Sequence, residues 1–132
     1  MPILIDAWNF IRNRKSEIPD DDQDSLQSAK ELIEHLERFQ ETHRDPITLV
    51  FDSSNEYLGL EHKNTPLLSL IAAKNADDRI KRYIDKVPER QRRNLRVVSS
   101  DNSVYYYAKS AYATPVTCEE FWHTLTKGLD RT

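Results

Sequence analysis

A chain of 132 residues is long enough for one hydrophobic core and too short for two comfortable ones, so a single domain over 1–132 is expected. With 38% hydrophobic and 31% charged residues it reads as a soluble globular protein, and its lone Cys118 excludes an internal disulfide and suits a reducing compartment. The net charge of −3 is not that of a polycation, no apolar run nears the roughly 20 residues of a membrane span, and the first six residues lack the basic and apolar regions of a signal peptide, so a cytoplasmic location without membrane contact is expected.

In chain order, Ile3-Leu4-Ile5 is a short apolar run that reads as a buried strand ending at Asp6. Arg12 to Asp24 is polar, carries Pro19 and reads as a loop; Asp20-Asp21-Asp22 within it reads as a solvated charge run. Asp24 or Ser25 can cap a helix whose Leu26, Ala29, Leu32, Ile33, Leu36 and Phe39 recur at the 3.6 period and which ends near His43, ahead of Pro46. Ile47 to Phe51 is a β-branched, apolar strand ending at Asp52. After a polar loop with Gly59, Leu67 to Ala72 is a candidate third strand. Asn75-Ala76-Asp77-Asp78 opens a helix with Ile80, Tyr83, Ile84 and Val87 inward, stopped by Pro88. Leu95 to Ser100 is a fourth strand ending at Asp101, followed by a helix over 103–112 and a short extended piece at Pro115-Val116. A last helix over 118–127 is capped by Thr117, with Glu120 at capping-box spacing. Alternating strands and helices without tight hairpins imply an α/β fold, a parallel sheet covered on both faces. Neither glycine lies in a phosphate-cradling motif, which disfavours nucleotide binding on a glycine-rich turn.

The chemistry collects at strand ends. Asp6, Asp52 and Asp101 each follow a predicted strand, and Asp77 and Asp78 open the helix after the third. In an open parallel sheet the carboxyl ends of the strands form the ligand crevice, and neighbouring strands lie about 4.8 Å apart. Carboxylates at such an edge repel one another unless a hard divalent cation separates their charges. A cation there lowers the pKa of bound water and orients a phosphodiester. Each aspartate taken alone also fits a turn, a cap or a helix-dipole partner; only the joint pattern asks for a common cause. Asn9, one loop step past Asp6, can bind substrate or tie down the loop. Ser99 and Ser100 can hydrogen-bond the carboxylates. The bases between Arg79 and Arg96, among them Lys81, Arg82, Arg92 and Arg93, together with Arg12, Arg14 and Lys15, can pair with phosphates. His35, His43, His62 and His123 share no metal-ligand spacing, and His35 and His123 are expected to face solvent. No nucleophile elbow is present. Of Tyr105, Tyr106 and Tyr107, one or two are expected in the core, the rest being free to stack on bases.

Ile3-Leu4-Ile5-Asp6-Ala7-Trp8-Asn9-Phe10-Ile11 resembles the opening strand of NYN-domain proteins, especially their YacP-like group. Val50-Phe51-Asp52, Asn75-Ala76-Asp77-Asp78-Arg79-Ile80, Val97-Val98-Ser99-Ser100-Asp101 and Thr117-Cys118-Glu119-Glu120-Phe121 are similar to that group's later motifs, in order from about residue 2 to 126. The resemblance implies a three-layer PIN-like fold and a metal-dependent ribonuclease cutting single-stranded RNA. By position, Asp6, Asp77 and Asp101 match the metal site, Asp52 and Asp78 its flanking acids, and Asn9 its polar residue. Trp8 stands for the usual tyrosine, Ser53 for a glycine, and Ala113-Thr114 for Gly-Ala, departures that touch loop shape and not the acidic set.

The expectation is therefore a Mg²⁺- or Mn²⁺-dependent endoribonuclease in which metal-activated water attacks a phosphodiester. Asp6, Asp77 and Asp101 would be ligands, with Asp52 or Asp78 on a second ion or the water. The expected partner is RNA (messenger, transfer or ribosomal), with the ribosome as a further candidate. The rival class is an RNA-binding or assembly module that keeps the fold without catalysis. A phospho-acceptor receiver domain is disfavoured, because it expects an acidic pair after the first strand and a lysine after the last.

Overall fold

The computed structural model describes residues 1–13, 25–53 and 64–129. Five parallel strands, β1 (Ile3–Asp6), β2 (Ile47–Asp52), β3 (Leu68–Ala73), β4 (Arg96–Val98) and β5 (Thr114–Val116), lie in the order β3-β2-β1-β4-β5. The helices are α1 (Ala7–Arg12), α2 (Ser25–Phe39), α3 (Ala76–Lys86), α4 (Glu89–Arg92), α5 (Asn102–Ser110) and α6 (Cys118–Leu129). The chain order reverses on either side of β1, so β1 is central and the crevice at its carboxyl end lies at a topological switch point.

Strand alternation sorts the core into two layers. Ile3, Ile5, Ile47, Leu49, Phe51 and Val98 point to one face and pack with α1, α2 and α6. Leu4, Val50 and Val97 point to the other, where Ile80 and Ile84 of α3 and Val104 and Ala108 of α5 cover them. The sheet is thus clothed on both faces, as the alternating pattern predicts. On α2, Ala29, Leu32, Ile33, Leu36 and Phe39 are buried, whereas Leu26, in the first turn, is 39% exposed. The buried Gln40 closes this end of the layer: its Nε2 donates to the carbonyls of Asp45 (2.8 Å) and Leu67 (2.6 Å), so backbone that enters β2 and β3 is not left unsatisfied.

Several expectations are corrected. The chain turns into α1 directly at Asp6, with Ala7, Phe10 and Ile11 buried at helical spacing, so Asn9 sits on a helix rather than in a loop. The fourth strand is shorter than 95–100, ending at Val98. The Pro115-Val116 piece is a full member of the sheet: Pro115 pairs with Val97 on the edge strand, where a missing N–H is tolerated. His35 is half-buried, its ring edge-on to Trp122 at 5.5 Å, because the α2–α6 contact covers it. None of Tyr105, Tyr106 and Tyr107 is fully buried; Val104 and Ala108 take the inward positions of α5. Thr117 and Glu120 form the reciprocal cap expected, each side chain accepting from the other's backbone N–H.

Candidate functional site

The sheet register explains how the acids meet. Asp6 continues the β1 positions that face α3 and α5, and Asp52 does the same on β2. Asp77 lies in the first turn of α3 and Asp101 is the N-cap of α5, so both helices on that face begin where the strands end. Asp52 lies two residues beyond Val50, the partner of Asp6, and Asp101 lies three beyond Val98, the partner of Ile5. Two residues of strand are about 6.6 Å. The three strand-end acids are therefore staggered rather than level: Asp6 forms the floor of a cleft of about 300 Å³, and Asp52, Asp77 and Asp101 line its walls. Asn9, Arg12, Trp8, Lys74, Asn75 and Ala76 complete the lining.

Burial dominates the electrostatics of the floor. Asp6 is 6% exposed, and desolvation lifts its pKa from 3.8 to about 6. The Ser99 hydroxyl opposes that rise, while the charges of Asp77, Asp101 and Asp52 add to it. Asp77 is also raised, first by burial and then by Asp101, with Lys81 pulling the other way. The site holds carboxylates against their own repulsion.

A small polar network sets the floor. The buried Ser99 hydroxyl lies 3.2 Å from Asp6 Oδ2 and 3.4 Å from Asn9 Oδ1, and its one proton serves either; its oxygen accepts from the Asp101 backbone N–H at 3.1 Å. Asn9 Oδ1 accepts from the Ser100 N–H at 2.8 Å, and the buried Cys118 thiol lies 3.2 Å away. Asn9 thus ties α1 to the turn after β4. Asp101 Oδ1 caps α5, accepting from the N–H groups of Ser103 and Val104, which leaves Oδ2 for the cleft.

Not every expected residue joins this cleft. Asp78 is exposed and outside the lining; its backbone N–H donates to the Asn75 side chain that caps α3. Arg79, Lys81 and Arg82 lie on α3, and Lys81 Nζ donates to Ser103 Oγ at 2.9 Å, over the Tyr107 ring. Arg92 and Arg93 lie beyond the far end of α3, at the opposite edge of the sheet, and Arg92 is tied to the carbonyls of Val87 and Asp85. They do not line the acidic cleft. Arg14, Lys15, Asp20 to Asp22, Gly59 and His62 lie outside the described residues. Lys74 and Asn75 were missed as lining residues: a single cation after an apolar strand carries no spacing signal.

The donor set suits a hard divalent cation, being all oxygen. Among the described residues no three His, Cys, Asp or Glu side chains form a ready cage. Mg²⁺ uses one or two carboxylates and completes its shell with water and substrate phosphate, and an open acidic cleft fits that habit.

Fold and site together define a parallel α/β protein with an acidic cleft at the carboxyl edge of its sheet. The chain matches the model of the YacP-like NYN domain over residues 3–131 and belongs to that family. Membership implies a nuclease function directed at RNA. Two solved structures are similar in fold: Rae1 (YacP) from Bacillus subtilis (TM-score 0.71, 18% identity, covering 99% of this chain and 78% of that one) and its W164L mutant (TM-score 0.79, 18%, 99% and 79%). Comparison with curated proteins gives no match. Among the described residues no helix is long and apolar enough to cross a membrane.

Proposed function

We propose that the chain is a Mg²⁺- or Mn²⁺-dependent endoribonuclease acting on single-stranded RNA in the cytoplasm. The observation that carries this reading is the buried Asp6, raised to about 6 at the floor of a cleft walled by Asp52, Asp77 and Asp101. Asp6, Asp77 and Asp101 would hold the cation, one or two of them directly and the rest through its bound waters, and its chemistry would be to lower the pKa of water and stabilise charge on a phosphodiester. Asp52, on the wall beside Asp6, would orient the attacking water or take its proton; Asp78, exposed outside the lining, is the weaker choice for that task. Ser99 and Asn9 hold Asp6 and the turn before Asp101 in place, and Arg12 and Lys74 supply positive charge for the substrate backbone at the same cleft.

The test is incubation of the purified chain with labelled single-stranded RNA, with Mn²⁺, with Mg²⁺ and with a chelator. The expected result is cation-dependent internal cleavage that Asp6→Asn and Asp77→Asn abolish while circular dichroism stays native. RNA that is bound and left intact under every condition would favour the non-catalytic binding module instead.

A further inference from the structure

At the opposite edge of the sheet, Glu89, Arg90, Arg93 and Tyr112 line a second cleft of about 400 Å³. Tyr112 follows α5 with φ 70° and is 66% exposed. The helix end closes through the Ala113 N–H to the Ala108 carbonyl at 2.9 Å, with Tyr112 at the left-handed position that glycine ordinarily fills because a Cβ is disfavoured there. A bulky side chain there is an outlier, and the ring gains no burial in return. Arg90 and Arg93 are exposed and, among the described residues, have no ion pair, whereas Arg92 between them is fixed to backbone carbonyls and anchors the turn. Thr114 Oγ1 donates to the Arg93 carbonyl at 2.7 Å, which holds this segment against β5.

An exposed ring beside two exposed guanidiniums is the equipment for a stacked base and its flanking phosphates. We propose that this cleft is a second contact surface for single-stranded RNA, distinct from the acidic cleft, engaging a stretch of substrate away from the cut. Its α5 neighbour spans about 14 Å from Asp101, at 1.5 Å per residue, so only RNA long enough to pass both edges touches both clefts. The proposal rests on the nuclease reading for its choice of ligand, and on Tyr112, Arg90 and Arg93 for its place. Glu89 disfavours bare phosphate there and suits a base edge offering an N–H donor.

The experiment measures binding of short and long fluorescein-labelled oligouridylates by anisotropy, beside cleavage of both with Mn²⁺. Tyr112→Gly and Arg90→Ala/Arg93→Ala should weaken long RNA about tenfold and leave the short RNA's cleavage rate unchanged. Tyr112→Phe should retain the parent's affinity. Melting of Tyr112→Gly at or above the parent's temperature shows that lost binding is not lost fold. Long RNA bound equally by parent and variants overturns the second surface and leaves the nuclease reading standing. A chain that cleaves nothing yet loses RNA on Tyr112→Gly overturns the nuclease reading and supports this surface; a parent that binds no RNA overturns both.

Discussion

Asp45 and Asp6 sit at opposite edges of one sheet and are treated in opposite ways. Asp45, just before β2, receives the Met1 ammonium at 2.8 Å and Arg96 at 3.2 Å, and the bond from the chain terminus leads in holding its pKa below the usual value. Asp6, at the end of β1, is more deeply buried, has a hydroxyl instead of a cation, and is surrounded by three further carboxylates. One edge neutralises its charge with partners from the chain. The other leaves charge uncompensated, which costs folding stability and is the arrangement expected of a site that receives a cation from outside.

The two acids should differ most in activity. Asp6→Asn and Asp77→Asn should each lower RNA cleavage by at least about 10²-fold, while Asp45→Asn leaves it unchanged, as single-turnover rates on labelled RNA will check. Next in size is stability. Because folding raises the Asp6 pKa from 3.8 to about 6, its ionisation weakens the fold: stability is full below 3.8 and falls as pH rises through about 6. The difference corresponds to about 3 kcal/mol at neutral pH. Cation-free Asp6→Asn should therefore be more stable than the parent by up to about 3 kcal/mol at pH ~7 and equal to it near pH ~3.5, as urea unfolding at the two pH values will show.

Smaller effects sharpen the same contrast. Ser99→Ala removes the one group that opposes the rise of Asp6, so the acid limb of the pH–rate profile should move to higher pH; the lost buried bonds should cost about 1–2 kcal/mol in unfolding. Asp45→Asn should destabilise by no more than about 1 kcal/mol, since both its ion pairs are partly exposed, and its sign is opposite to that of Asp6→Asn.

The main architecture was readable because apolar runs such as Ile3 to Ile5 and Ile47 to Phe51 have few alternatives to a buried parallel strand. Asp6, Asp52, Asp77 and Asp101 were likewise visible at element boundaries, and the structure brings those four to one cleft. What stayed hidden depends on pairing and on short elements. Ala7, Phe10 and Ile11 carry a helical spacing over only six residues, too short to stand out from a loop; α4 buries nothing and has no pattern at all. The stagger of Asp52 and Asp101 relative to Asp6 follows from register, which no local motif encodes. Arg92 and Arg93 looked like neighbours of Arg79 in sequence, but α3 carries them across the sheet.

Calorimetric titration of Mn²⁺ into the cation-free chain at pH ~6, in two buffers of different ionisation enthalpy, tests the central claim most directly. With Asp6 half protonated at that pH, binding should release about half a proton from it, and Asp6→Asn should abolish that release. Mn²⁺ that does not bind, or that binds identically to the parent and to Asp6→Asn, would contradict the account.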